Sequence, residues 1–342
     1  MSAKAQIIPL FVPHVGCPNA CVFCNQRHIS GEQSPATPKD VEAAIRKSAA
    51  LTPQGAKRQL AFYGGSFTAL PAAEQEALLR AAQPYLDSGY LSSIRLSTRP
   101  DAIDEACLQR LKKYRVQTVE LGAQSMCDQV LELSGRGHTA RDVAEAARMV
   151  QKAGFSLVLQ MMTGLPGSTP ARDVETARRI AALCPDGVRI YPTVIVRDTA
   201  LWTLWRAGTY REHTVEDAVE VCAQIVPIFQ EAGIPIIRLG LNPTEDLSGG
   251  EAAGGAYHPA LGELVRARLL LEKERAALCG VPPGSRVELG VRPGLLSQAI
   301  GQHGANRAAL LTEFCLQSLK IKPYPAENDE IWLLSVAKPQ DM

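Results

Sequence analysis

From residue 7 to about residue 240, short apolar runs rich in β-branched residues alternate with longer segments whose apolar positions recur at helical spacing. The short runs predict strands at 7–15, 60–63, 93–98, 118–122, 156–162, 188–194 and 234–239. The longer segments predict helices at 40–50, 72–86, 104–113, 140–153, 171–183 and 215–231. Strands alternating with helices in this way signal parallel βαβ units. Seven strands and six helices before residue 245 fall slightly short of the eight units of a closed barrel. The pattern therefore predicts an α/β fold, a partial parallel (β/α) barrel of six to seven units occupying residues 1–244. The small-residue stretch 245–256 reads as a linker or loop. Beyond it, residues 257–342 read as a small α+β module: strand 286–291, short helix 295–300, helix 305–314, strand 318–322.

The first predicted strand runs into Cys17, Cys21 and Cys24, a CxxxCxxC spacing on one short loop. Three thiolates hold three irons of a [4Fe-4S] cube, where an electron-transfer cluster takes four and is closed. The fourth iron is left open for a ligand, and an open corner suits a cluster that binds and reduces S-adenosylmethionine (SAM). The same trio would also serve a structural zinc site, with His14 or His28 completing a Cys3His set. Zinc ribbons and fingers, however, usually bring two separated pairs of ligands, and no second CxxC pair exists here. Cys107, Cys127, Cys184, Cys222, Cys279 and Cys315 are scattered singly through apolar or helical segments, as small buried hydrophobes are.

Composition narrows the setting. The residues Met1 to Gln6 are short and polar, with no secretory pattern, so nine cysteines point to a reducing cytoplasm rather than a disulfide framework. No apolar run approaches the roughly 18 residues that span a bilayer. A formal charge of +1 implies no polyelectrolyte partner by itself.

Polar and glycine-rich motifs come after successive predicted strands: the cysteine loop, Tyr63-Gly64-Gly65-Ser66-Phe67-Thr68, Ser97-Thr98-Arg99-Pro100-Asp101, Gly122-Ala123-Gln124-Ser125, Thr163-Gly164-Leu165-Pro166-Gly167 and Tyr191-Pro192-Thr193. The carboxyl ends of strands are the catalytic face of such barrels, so six separate segments point at one site.

These motifs, with Phe23 before the last cysteine, Val119-Glu120-Leu121, Gly135-Arg136-Gly137-His138-Thr139 and Arg189-Ile190, resemble the radical SAM domain of the Elongator catalytic-subunit family over about residues 7–240. The resemblance is to short forms of that family, which are without the acetyltransferase domain. The resemblance implies a radical SAM enzyme in which Cys17, Cys21 and Cys24 hold the cluster and the backbone around Phe23 lies against the adenine. It places Gly64 and Gly65 beside the methionine moiety, and Ser66 where related enzymes often carry a glutamate for its ammonium. Arg136 becomes the partner of the SAM carboxylate, through a charge-assisted pair. Ser97, Gln124 and Gln160 become ligands of ribose and methionine. An external reductant such as flavodoxin or ferredoxin, and RNA or tRNA as substrate, belong to the same implication.

Further features bear on the substrate. In the C-terminal module, Gly301-Gln302-His303-Gly304 lies between two helices flanked by strands, the β-α-GxxG-α-β order of a minimal KH fold, whose loop clamps nucleic-acid backbone. Between residues 280 and 323, five cations oppose two acids, a local excess of 5 − 2 = +3. Trp202 and Trp205, three apart near Tyr210, read first as core or domain-packing surface and second as a base-stacking platform, and His258 first as a helix-start residue and second as a lid or proton donor. Competing readings are a radical enzyme acting on a small metabolite or tetrapyrrole, a non-catalytic metal-containing RNA-binding protein, and a methyl or methylthio transferase using Cys127 as nucleophile.

Overall fold

The computed structural model describes residues 6–12, 17, 20–24, 35–51, 57–241, 250–325 and 330–338. His14, His28, the end of the first predicted strand (13–15) and residues 242–249 of the chain lie outside them. Two compact units result, one of Met1–Thr214 with Ile225–Tyr257, the other of Val215–Gln224 with His258–Met342.

The elements run β1 (Gln6–Val12), α1 (Pro38–Leu51), β2 (Arg58–Gly64), α2 (Ala72–Asp87), β3 (Ser93–Thr98), α3 (Glu105–Lys113), β4 (Val116–Gln124), α4 (Asp128–Leu133), α5 (Ala140–Lys152), β5 (Ser156–Thr163), α6 (Pro170–Ala181), β6 (Gly187–Pro192), β7 (Val194–Val196), α7 (Ala200–Arg206), α8 (Val215–Glu231), β8 (Ile236–Leu239) and β9 (Ala252–Gly255). The chain continues through α9 (Leu261–Ala277), β10 (Arg286–Val291), α10 (Leu296–Ile300), α11 (Ala305–Glu313), β11 (Ser318–Pro323) and β12 (Ile331–Ala337).

Seven strands form one sheet in the order β1-β2-β3-β4-β5-β6-β8, every neighbouring pair parallel. The sheet curls into a half-barrel with β1 and β8 as its edges, the partial (β/α) architecture expected. Alternation along the strands sorts the faces. Val119, Leu121, Leu157, Leu159 and Ile190 are fully buried on the helix-covered face, where α5 contributes Val143, Ala147 and Val150. Arg95, Glu120, Gln160 and Arg189 take the alternate positions and face the barrel interior. Thr139 caps α5 reciprocally with Asp142, which fixes where the helix begins after β4 and α4.

Two expectations change. The strand predicted at 188–194 is split, because Pro192 has no amide hydrogen to donate and Thr193 turns both its N and its Oγ1 to Thr163 O, at 2.9 and 2.6 Å. A separate strand, β7, then begins at Val194 and pairs antiparallel with β9. Residues 252–255 of the stretch read as linker are therefore strand. Val194 pairs with Gly255, and Glu212 Oε1 accepts from Gly255 N at 2.7 Å, so small residues serve here to let backbones approach.

In the second unit β10 is central, parallel to β11 and antiparallel to β12. Leu271 of α9 and Leu278 at its C-terminal cap pack with Val287, Leu289, Leu310, Leu316 and Leu319. The β10-α10-GQHG-α11-β11 order is present as read from the sequence. Neither α9 nor β12 was among the expected elements. Among the described residues, no helix is long and apolar enough to cross a membrane.

Candidate functional site

The cysteine loop is seated by segments from distant parts of the sequence. Cys24 N donates to Cys21 O (3.0 Å), closing a turn; Val22 N donates to Ser134 O (3.1 Å) after α4, and Leu201 N of α7 donates to Val22 O (2.7 Å). Phe23 is the apolar anchor, packed on Val130, Met162 and Leu165, with Cys127 and Tyr191 alongside. Gly135 backs the loop directly: its φ is +65°, and a Cβ there would stand 2.9 Å from Ala20 O and 3.8 Å from Cys21 Cα. The three cysteines are each half-buried.

Arg136 stands between the loop and the end of β4. Its Nη1 is 3.3 Å from Cys21 Sγ and its Nη2 donates to Gly122 O at 2.6 Å. The backbone is held from behind, since Arg99 donates to Arg136 O while also pairing two-pronged with Asp101, at 2.9 Å on each side. His138 Nε2 lies 3.2 Å from Ala123 O, and burial, helped by Arg136, pulls this imidazole down to about 4. It is thus neutral near pH 7 and adds no charge beside Arg136.

Two glutamines close the arrangement. Gln124 adopts φ +64° at a bulge where the β4–β5 register shifts, an uncommon backbone for a non-glycine residue. Its Oε1 accepts from Gln160 Nε2 at 3.2 Å. Gly122 makes room for both groups: a Cβ there would meet Gln124 Nε2 at 2.9 Å and Arg136 Nη2 at 3.3 Å. Arg136, Gln124 and Gln160 are therefore brought together beside Cys21.

The remaining sequence-predicted residues divide. Gly65 N donates to Val12 O (2.8 Å), which binds the Gly64-Gly65 turn to the end of β1, where the chain leads towards the cysteines. Ser97, half-buried, is in register with Glu120 on the interior face. Ser66 is buried: its hydroxyl is 2.8 Å from Thr98 Oγ1 and accepts from Arg99 N at 3.2 Å, so it braces the loop after β2.

A charged girdle that sequence reasoning did not assign lies deeper in the half-barrel. Glu120 pairs with Arg95 (2.7 Å) and Arg189 (2.8 Å), all three nearly buried, and Tyr63 OH joins Glu120 at 3.1 Å and Arg189 Nη2 at 3.1 Å. Burial and then the Glu120 charge hold the Tyr63 phenol well above its ordinary range. The signal was in the sequence: Arg95, Glu120 and Arg189 are each the single charge within the strands expected at 93–98, 118–122 and 188–194. The Gly164 turn is likewise built from afar. Asp173 Oδ2 accepts from Gly164 N (2.9 Å), Tyr210 OH donates to Gly164 O (2.7 Å), and His213 Nε2 lies 3.0 Å from Thr163 Oγ1.

The chemistry of the donor set suits a cluster. Cys24 is pushed up to about 12, first by burial and then by Cys21 and Cys17, with Arg136 pulling the other way. Three thiols this close do not ionise together without a cation, and metal ligation requires the thiolate form. Iron would supply that charge, so the residues fit a [4Fe-4S] cluster. Among the described residues no three His, Cys, Asp or Glu side chains converge as a set for one metal ion. A cube does not ask that of its cysteines, each of which ligates its own iron. Cys127 lies against Phe23 in the apolar cluster.

In the second unit the GQHG turn has a structural reason. Gly301 has φ +78° and a Cβ there would stand 2.7 Å from Asn306 N, while Asn306 donates to Ala267 O and Gln298 O (2.9 and 3.3 Å). Of the five cations read as a patch, Lys320 and Lys322 pair with Glu288, and Arg292 pairs with Glu330. His258 Nδ1 accepts from Ala260 N (3.1 Å) just before α9, a helix-start role.

The chain matches the radical SAM superfamily over residues 11–180 and the radical SAM C-terminal domain over residues 185–270. It is 30% identical over 227 residues to Elongator complex protein 3 of Homo sapiens, an overlap of 60% of this chain and 40% of that protein. It is 38% identical over 118 residues to the tRNA uridine(34) acetyltransferase of Dehalococcoides mccartyi, covering 34% of this chain and 26% of that one. The chain thus spans less than half the length of these relatives. Among solved structures, Elp3 of the archaeon Methanocaldococcus infernus has the same fold, with a TM-score of 0.61 at 23% identity over 80% of this chain and 64% of that one.

Proposed function

Because the chain is a radical SAM enzyme that resembles the Elongator catalytic subunit in its radical SAM domain, we propose that it modifies a base in RNA, tRNA foremost, by radical chemistry. A [4Fe-4S] cluster on Cys17, Cys21 and Cys24 would supply one electron to SAM at its open iron, cleaving it to methionine and a 5'-deoxyadenosyl radical.

The observation that carries this reading is the position of Arg136, 3.3 Å from Cys21 Sγ and bonded to Gly122 O, with Gln124 and Gln160 beside it. A guanidinium so held is oriented for the carboxylate of a ligand bound next to the cysteine loop. The two glutamines offer amide donors and acceptors for ribose and methionine, and the Gly64-Gly65 turn offers backbone groups at close approach. Phe23 keeps the loop in place against Val130 and Leu165, and that apolar layer excludes water from one side of the site. The hydroxyl of Ser66 is engaged with Thr98 and Arg99, and as a neutral group it would offer the SAM ammonium a weaker contact than a glutamate.

RNA as the second substrate is supported by the names of the relatives, one a tRNA uridine(34) acetyltransferase. The KH-like loop adds little support, since its first glycine, Gly301, answers to Asn306. A small anionic metabolite is the second reading, favoured by an interior face that sets Arg95 and Arg189 against the single carboxylate of Glu120. The reductant is external, a flavodoxin- or ferredoxin-type carrier, and the setting is cytoplasmic.

The experiment is anaerobic purification, iron analysis and incubation with SAM and dithionite. We expect about four irons per chain and release of 5'-deoxyadenosine, abolished in Cys21→Ala and kept in Cys127→Ala. Zinc in place of iron, or loss of cleavage in Cys127→Ala with Cys21→Ala unaffected, would reverse the assignment.

A further inference from the structure

Beside the cysteine loop, α7 exposes an aromatic and cationic surface that the radical site does not use. Thr199 caps this helix, its Oγ1 accepting from Trp202 N at 3.1 Å. Leu201 is fully buried against Ile195 and Tyr210. With that face fixed, Trp202 and Trp205, three residues apart, are left half-buried in an open cleft of about 470 Å³ lined by Arg197, Trp202, Trp205, Arg206 and Ala253. The volume is in the range of small-ligand pockets.

The charge of the cleft decides what would occupy it. Arg197 and Arg206 are exposed at its rim, and Arg206 Cζ lies 5.1 Å from the centroid of the Trp202 ring. From residue 197 to 211 the chain carries three arginines and one acid, Asp198. Glu212, the nearby carboxylate, is committed to Gly255 N at 2.7 Å. Arg197 Nε also donates to Gly250 O at 2.9 Å, and an apolar protein segment would cover the indoles but set this cationic rim against carbon. An unpaired nucleotide matches both, its base against an indole and its phosphate against arginine. Location agrees, because Leu201 N, one residue before Trp202, is bonded to Val22 O of the cysteine loop. A base stacked on α7 would bring the neighbouring nucleotides to the carboxyl ends of the barrel strands.

We propose that Trp202 and Trp205, with Arg197 and Arg206, form a stacking platform for an unpaired base of the RNA substrate. This rests on the reading of RNA as substrate. The platform discriminates looped from paired RNA and holds it beside the radical site; it takes no part in cleaving SAM.

The test is a fluorescence titration of the full chain carrying Trp332→Phe, which leaves Trp202 and Trp205 as the only indoles. The probes are a synthetic anticodon-arm hairpin RNA and a fully paired RNA of equal length. The hairpin quenches the emission and binds; the duplex quenches far less. Trp202→Ala with Trp205→Ala, followed by filter binding, weakens hairpin affinity by roughly five- to a hundredfold, and the double Phe variant recovers most of it. Should the alanine variant not fold, Arg197→Glu with Arg206→Glu alters only exposed positions and weakens hairpin binding with a flatter salt dependence. Hairpin binding unchanged in these variants, or equal quenching by the duplex, overturns the platform while leaving RNA as substrate. No RNA binding by the unmodified chain overturns the RNA reading and the platform together.

Discussion

A methyl group at Gly135 is the smallest change aimed at the cysteine loop. In Gly135→Ala the backbone keeps φ +65°, costing about 1–2 kcal/mol, and the new Cβ presses on Ala20 O. The expected result is a reconstituted protein with a lowered iron content and a stability loss no larger than that backbone cost. Iron analysis alongside urea unfolding checks it; a full iron complement would mean that Gly135 does not set the loop. Glu120 is the counter-ion of two nearly buried arginines. Glu120→Gln keeps the shape and removes the charge, leaving Arg95 and Arg189 uncompensated, and should destabilise the half-barrel by about 3–5 kcal/mol. Adding Arg95→Met should recover part of that loss in the same urea measurement; no recovery would separate the two residues energetically.

The elements were legible where periodicity is strong and illegible where it is not. All seven sheet strands and the helices α1, α2, α3, α5, α6 and α8 stood in the pattern, the strands as short apolar runs and the helices through one buried face, whereas α9, as long as α8, did not. Pro192 and Thr193 split one strand through bonds to Thr163, a residue thirty positions earlier, which no local pattern records. Residues 252–255 looked like linker because alanine and glycine carry no strand propensity, yet small residues are what the β7–β9 ladder admits. The cysteine loop was readable from its spacing, while Arg136 and the two glutamines came from the resemblance alone; the pairing within the Glu120 girdle and the seats at Ser134 and Leu201 were not readable, being made by tertiary contact. On α9, Glu274 is fully buried and no donor reaches either carboxylate oxygen in hydrogen-bond geometry. Burial pushes its carboxyl up to about 8, with Asn306 lowering it only in part. The folded unit then binds a proton that the unfolded chain releases, so its stability is full below about pH 4.5 and falls as pH rises towards 8. Glu274→Gln should flatten that slope in thermal melts taken across the range, whereas an unchanged slope would assign it to other groups.

At the scale of the molecule, the half-barrel gathers its chemistry at the carboxyl ends of its strands. Cysteine loop, Gly64-Gly65 turn, bulged Gln124 and Gly164 turn all leave strands on that side. An arrangement that needs six strands to place its groups tolerates poorly a change in register, since one residue of slip turns the interior charges outward. The central claim concerns the vacant corner of the cluster, and electron paramagnetic resonance reads it directly. The dithionite-reduced protein is measured anaerobically before and after SAM is added. The account predicts a [4Fe-4S] signal whose shape changes with SAM in the unmodified chain and is absent in Cys21→Ala; a cluster signal indifferent to SAM would mean that the fourth iron is already ligated and would contradict it.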